Sequence, residues 1–313
     1  MGATTNPEAT ENVTTPESSP EAVTPDNPSP TPDKESTDEP PSDESDVPPL
    51  EAGDTPIDAT HFPNKGFREY VISEYDNDGD EILSKEEAEI VRVISIDNIS
   101  VDNKRLKITS MKGIEYFPNL EELNCRENQI VSLDLRKNTS LKKIDCSSTR
   151  LAELYITGLT SLEELNCSNN RLTNLNISGF ANLETLDCGY NQLTSLNLTG
   201  LSALEDLSCS HNQLTSLNLA GLNALKELFC GGNQLTTLDV SGHIALEKLS
   251  CAENSLTTLN VSGCSSLYWL RCEDNELTTL DLSTCPKLPS KYKTPDYWGD
   301  SWLAYDDGVT IIN

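Results

Sequence analysis

From residue 120 onward the apolar positions of this chain return every 21 residues. The third unit reads Leu162-x-x-Leu165-x-Cys167-x-x-Asn170-x-Leu172-x-x-Leu175-x-Ile177. Its cysteine recurs at Cys125, Cys146, Cys167, Cys188, Cys209, Cys230, Cys251 and Cys272. Its first leucine recurs from Leu120 to Leu267, and its second from Leu123, through Ile144, to Leu270. Around each cysteine apolar residues alternate with polar ones, the pattern of a strand with one buried face. One such strand per unit, laid beside its neighbours at about 4.8 Å, predicts a parallel sheet. A fixed period in the twenties means stacked coils, each covering its neighbour's apolar side.

The polar positions of the frame have their own logic. Asn128, Asn170, Asn191, Asn212, Asn233, Asn254 and Asn275 occupy one column, broken only by Thr149. An amide side chain both donates and accepts, so it can satisfy backbone left unpaired where a strand ends. Threonine does part of that work, which predicts a looser second coil. Gly158, Gly179, Gly200, Gly221, Gly242 and Gly263 suit a tight return turn.

The frame resembles the leucine-rich repeat, L-x-x-L-x-L-x-x-N/C-x-L, with cysteine in place of the third leucine. The resemblance covers roughly residues 91–288. It implies an α/β solenoid: a leucine-rich-repeat right-handed superhelix with a parallel sheet on the concave face and a small helical N-terminal cap. The repeats are expected over 94–288, the helical cap over 61–93 and a C-terminal cap over 289–313. Ile108, Met111 and Ile114 keep the spacing in a shifted register, as in an irregular first coil. Tyr292, Tyr297, Trp298, Trp302 and Tyr305 are expected to close the far end.

Composition changes sharply before the repeats. Residues 1–60 hold 12 of the 17 prolines, no aromatic residue and no cysteine, and 15 acids against one lysine. A segment so charged and so poor in apolar groups cannot bury enough surface to fold, and it reads as a disordered acidic tether. The chain's net charge of −29 argues against nucleic acid and against anionic lipid. No apolar run is long enough to span a bilayer. Met1-Gly2 followed directly by the tether reads as a start after a removed leader.

One segment has the pattern of a metal site. Asp76-Asn77-Asp78-Gly79-Asp80-Glu81-Ile82-Leu83-Ser84-Lys85-Glu86-Glu87 resembles an EF-hand calcium loop. The resemblance implies ligands at Asp76, Asp78, Asp80, the Ile82 carbonyl, Ser84 and Glu87, with calcium as a structural cofactor. Phe67–Tyr75 and Lys85–Val93 read as the flanking helices. Glu81 departs from the pattern, because the sixth position needs a sharp turn and normally holds glycine. The alternative is an ion-free acidic turn that starts a helix.

The thiols read chiefly as buried small hydrophobes. Cys264 and Cys285 lie outside the strand column, 21 residues apart, where a bridge is sterically open. Ser, Thr, Asn and Asp rows on the second face read as structural. The candidate ligand patch is Tyr190, His211, Phe229, Tyr268, Trp269 and Arg271, because aromatic residues and arginine dominate binding hot spots. The competing reading packs Tyr268 and Trp269 beneath the C-terminal cap. His61, His211 and His243 have no partner pattern for nucleophilic catalysis.

The whole layout is similar to the internalin-like adhesins. That resemblance implies a monomeric, non-enzymatic module on a bacterial surface, held by its N-terminal tether and binding a protein. A carbohydrate ligand, or a scaffold or inhibitor role toward a separate enzyme, remains open. Direct membrane insertion is not expected.

Overall fold

The structure is a computed structural model. It describes residues 50–96, 100–101, 104–105, 108–289 and 302–313. The chain divides into two units, 1–48 and 49–313, and the description concerns the second.

The repeats form the expected parallel-sheet solenoid. Among the described residues ten strands make one sheet, in chain order from Val93–Ser95 to Trp302–Ala304. Each repeat contributes three residues with the middle one buried, as in Glu164–Asn166 and Thr185–Asp187. The register is strict: Leu165 lies opposite both Ile144 and Leu186, 21 residues away on each side. Leucine and cysteine columns fill the interior, and all eight column cysteines are fully buried. A second, broken set of parallel strands runs behind, including Thr237–Asp239 against Thr258–Asn260.

The asparagine column stitches the coils together. Asn191 donates from Nδ2 to the carbonyls of Cys167, one coil earlier, and Cys188, its own. Its Oδ1 accepts from Leu172 N at 2.9 Å. At the Thr149 break the geometry shifts. Thr149 Oγ1 still reaches the Cys146 carbonyl at 2.9 Å, while Asn170 Oδ1 collects the N–H groups of Thr149, Arg150 and Leu151. Arg150 is thereby held at φ +90°. The second coil is rearranged, and its neighbour supplies the missing bonds.

The N-terminal end is built from β1 (Thr55–Pro56), α1 (Lys65–Tyr75), β2 (Ile82–Leu83) and α2 (Lys85–Ile90). Asn64 caps α1 by accepting from Phe67 N, and Ser84 with Glu87 forms a capping box on α2. Helix α2 ends at Ile90, earlier than the sequence pattern suggested, because Val93–Ser95 is taken as the first strand of the long sheet. The tether boundary also moves. Residues assigned to it by composition include Thr55 and Ile57, which are buried, and β1 pairs antiparallel with β2. Phe62, fully buried, lies over Gly113, where any Cβ would stand 2.3 Å from its ring.

At the other end the chain adds one more coil. Trp302–Ala304 pairs in register with Trp269–Arg271, and Leu303 is fully buried. Thr310–Ile312 extends the second face beside Thr279–Asp281. Trp302 and Tyr305 thus belong to a terminal coil, while Tyr292, Tyr297 and Trp298 lie outside the described residues.

Candidate functional site

The outward residues of the long sheet form two rows that flank each buried leucine. Most of the first row is charged, and part of it, together with the residues just before it, pairs across coils. Lys142 meets Glu121, Lys143 meets Glu164 and Lys248 meets Glu227, each at 2.6 Å. These pairs lie about a third or more exposed to solvent and contribute little to stability individually. Asp206 sits between Thr185 and Glu227 in the first row. Partial burial, followed by the charges of Glu227 and Glu205, holds its carboxyl above the usual carboxylate range.

Toward the C-terminal end the face turns aromatic. Phe229 packs edge-on against Trp269, with ring centroids 5.9 Å apart. Trp269 in turn meets Trp302 at 5.0 Å, and the Arg271 guanidinium lies 5.4 Å from the Trp302 ring. Arg271 Nε donates to Glu273 at 2.6 Å, which fixes its direction. Trp269 and Tyr268 are therefore partly covered by the terminal coil, and the Tyr268 carbonyl accepts from Trp302 N.

Tyr190 and His211 stand along the edge of the same face. Their rings stack at 4.3 Å with 25° between planes, and Tyr190 is 58% exposed. Both occupy a left-handed corner that recurs once per coil, at Glu127, Ser148, Asn169, Glu253 and Asp274. In the coil after His211 the corner is Gly232, at φ +66°. A Cβ there would lie 2.4 Å from His211 Nδ1, so only glycine leaves room for the ring. Tyr190, His211, Phe229 and Arg271 all line one shallow recess of about 300 Å³, floored by Ser208, Ser210 and Gly231. Four of the six expected ligand residues thus share a recess, while Tyr268 and Trp269 lie outside its lining.

Trp302 and Gly232 were not legible as site residues. Trp302 lay beyond the frame, and its partnership with Trp269 depends on a coil of a different length. Gly232 carried a signal in the unusual Gly231-Gly232 pair, whose meaning depends on the ring one coil earlier.

The acidic loop follows α1. Oxygens of Asp76, Asp78 and Asp80 all lie within 4.8 Å of one another. Asp76 Oδ1 accepts from Gly79 N and Asp80 N, and its Oδ2 accepts from Glu81 N. Glu81 takes φ +60°, so the turn forms in the absence of glycine, at a strain of roughly 1 kcal/mol. Glu87 stands outside the three-aspartate cluster but closes over the loop: its Oε1 accepts from Asn77 N at 2.7 Å. Its Oε2 is held by Ser84 N and Ser84 Oγ. Leu83 is buried and pins the loop to the cap. Hard oxygen donors on a short loop suit a hard cation, and the sequence order of the donors matches the calcium pattern. The three aspartates already bring their oxygens together, whereas Ser84 and Glu87 are hydrogen-bonded to each other and would have to turn to join them.

All ten cysteines are free and buried. Burial pushes the Cys230 and Cys272 thiols up to about 12, and the Cys167, Cys188 and Cys209 thiols well above their usual range. Such thiols are not nucleophiles. Cys264 and Cys285 are unbridged, and each donates to a carbonyl of the previous coil, Val240 and Val261 respectively. No helix among the described residues is long and apolar enough to cross a membrane.

Comparison with known proteins agrees with this geometry. The family model described as Leucine Rich repeats (2 copies) matches residues 160–202. The functional domain of InlJ from Listeria monocytogenes, described as including a cysteine ladder, is 31% identical with a TM-score of 0.59. That match covers 75% of this chain and 55% of InlJ. A leucine-rich-repeat protein of Leptospira interrogans is 26% identical, with a TM-score of 0.53, over 64% of this chain and 57% of that one. Internalin C2 of Listeria monocytogenes shares the fold at 23% identity and a TM-score of 0.54, over 74% of this chain and 92% of its own. The chain therefore spans a little over half the length of the first two. No curated protein matches it.

Proposed function

We propose, on the premise that this chain is a leucine-rich-repeat protein similar to the internalins, that it is a non-enzymatic binding module. Its ligand is a protein docked on the open face of the long sheet. The observation that carries this reading is the recess between Tyr190, His211, Phe229 and Arg271. Two aromatic rings, a stacked histidine and an oriented guanidinium meet on a rigid parallel sheet. Rings and arginine are the side chains that give most binding energy per residue, and a rigid scaffold loses little entropy on docking. The buried thiols, with their raised pKa, are poor nucleophiles for covalent chemistry.

The setting we propose is a bacterial surface, with the acidic N-terminal segment as spacer and adhesion or host contact as the use. The test is capture of surface proteins by the intact chain and by Phe229→Ala and Arg271→Ala variants. Each substitution is expected to weaken capture about tenfold or more. Undiminished capture by both would remove the recess from the account.

We also propose calcium as a structural ion at Asp76, Asp78 and Asp80, with the Ile82 carbonyl, Ser84 and Glu87 completing the set. The clustered aspartates and the left-handed Glu81 support it. When bound, the ion would neutralise the cluster and tie α1 to α2. Titration with Asp78→Asn as control tests this; absence of binding at millimolar calcium ends the proposal.

A further inference from the structure

We propose that the edge of the second to fifth coils is a subsite for a sugar bearing a single sulfate ester, held by Arg150 and Arg171 and stacked on Tyr190. The argument starts from a break in the repeat grammar. The column that contains these arginines otherwise reads Gln129, Gln192, Gln213, Gln234, Ser255 and Glu276. Only two adjacent coils place a cation there, and both side chains are exposed.

Neighbouring coils stand about 4.8 Å apart, the two arginines line one recess from adjacent coils, and like charges set near one another repel. The chain has 51 acidic residues, ample to supply a partner. Most other cations of the repeats have one: Arg136 pairs with Asp134, Lys142 with Glu121, and Arg271 with Glu273. Arg150 and Arg171 make no ion pair among the described residues. Two arginines that line one recess with no acidic partner are what an external oxoanion would bridge.

The surroundings are polar and shaped. Both arginines line a recess of about 270 Å³ with Ser148 and Asn169. Asn169 Nδ2 donates to Ser148 Oγ at 2.9 Å, which leaves the Ser148 hydroxyl hydrogen free to donate outward. In the next coil the same corner column presents Tyr190, exposed and backed by the stacked His211 ring. An exposed, braced ring suits the C–H face of a sugar. From the first arginine to His211 the strip runs three coil spacings, about 14 Å, which is room for a short oligosaccharide.

Charge selects among anions. A net charge of −29 repels polyanions at long range, so the ligand carries one anionic group on an otherwise neutral chain. A carboxylate satisfies one arginine fork through two oxygens, whereas a tetrahedral sulfate offers oxygens to two forks on different coils. The site shares Tyr190 and His211 with the protein-binding recess, but it does not require a protein ligand there.

The test is titration of the intact chain, by amide chemical-shift perturbation and calorimetry, with 6-sulfated N-acetyllactosamine, its unsulfated parent and a phosphoserine peptide. The sulfated sugar is expected to bind at least about tenfold tighter than the parent. Arg150→Gln and Arg171→Gln, which install the column's own residue, are each expected to weaken it about tenfold and to leave capture of protein ligands unchanged. Tyr190→Ser should weaken both sugars. Equal binding of the two sugars, unchanged binding by both arginine variants, or no binding at millimolar sugar would overturn the site. Tighter binding of the phosphoserine peptide would overturn the assignment to a sugar.

Discussion

Replacing Asn191 by alanine tests the claim that the asparagine column, and not leucine burial alone, holds the coils in register. The side chain makes four bonds: from Nδ2 to the carbonyls of Cys167, Cys188 and Gly189, and from Leu172 N to Oδ1. The three carbonyls keep other donors, namely Asn170, Asn212 and Asn169 N respectively. Leu172 N, on a fully buried residue, keeps none among its described bonds. One orphaned buried N–H costs about 1–3 kcal/mol, and the lost bonds to shared carbonyls add roughly 1 kcal/mol more. The expected loss is thus about 2–4 kcal/mol. Urea unfolding followed by circular dichroism reads it. Because stability in such stacks is nearly a sum over neighbours, the curve should also broaden or split at the broken interface. Asn197→Ala is the control: Asn197 is exposed and accepts only from Thr199 N, so its loss should cost no more than about 1 kcal/mol. Equal effects of the two substitutions would refute the reasoning.

Other consequences are open to measurement. Cys188→Ala should cost about 1–2 kcal/mol through a small cavity, while Cys188→Ser should cost more by placing a hydroxyl in the thiol spine; thermal melts separate them. Gly232→Ala should displace the His211 ring from Tyr190, visible as altered ring shifts in NMR, and destabilise by about 1–2 kcal/mol through its left-handed backbone. Asp206→Asn should stabilise the protein slightly near pH 7. The folded state raises this carboxyl's pKa, so its ionised form carries a penalty that develops as pH rises through the unfolded value of 3.8 and is complete above the folded value. Partial exposure limits the gain to about 0.5 kcal/mol, and it should vanish in melts at pH 3.

The repeated core was readable because its period is fixed and each position has one job. Leucine columns, the cysteine column and the asparagine stitch all follow from translation of one coil by 21 residues. What departs from that translation was harder to read. The break at Thr149 pointed to looseness, yet Asn170 compensates from the next coil, a response that depends on three-dimensional neighbours. Thr55 and Ile57 looked like tether because local composition was acidic and proline-rich, but their burial comes from pairing with Ile82–Leu83, remote in sequence. For the ligand patch, Phe229 and Arg271 could be placed on the open face by counting. That Trp269 is shared with Trp302, and that Tyr190 and His211 stack, needed the actual path of the chain between coils.

Thiol reactivity probes the central structural claim most directly: the coils share one continuous apolar spine in which the cysteine sulfurs stand in file. Ten free cysteines are present, all of them buried. In native buffer a water-soluble thiol reagent should label essentially none of the ten over many minutes, and in denaturant it should label all ten at once. Rapid labelling of the strand-column cysteines in the native protein would contradict the account.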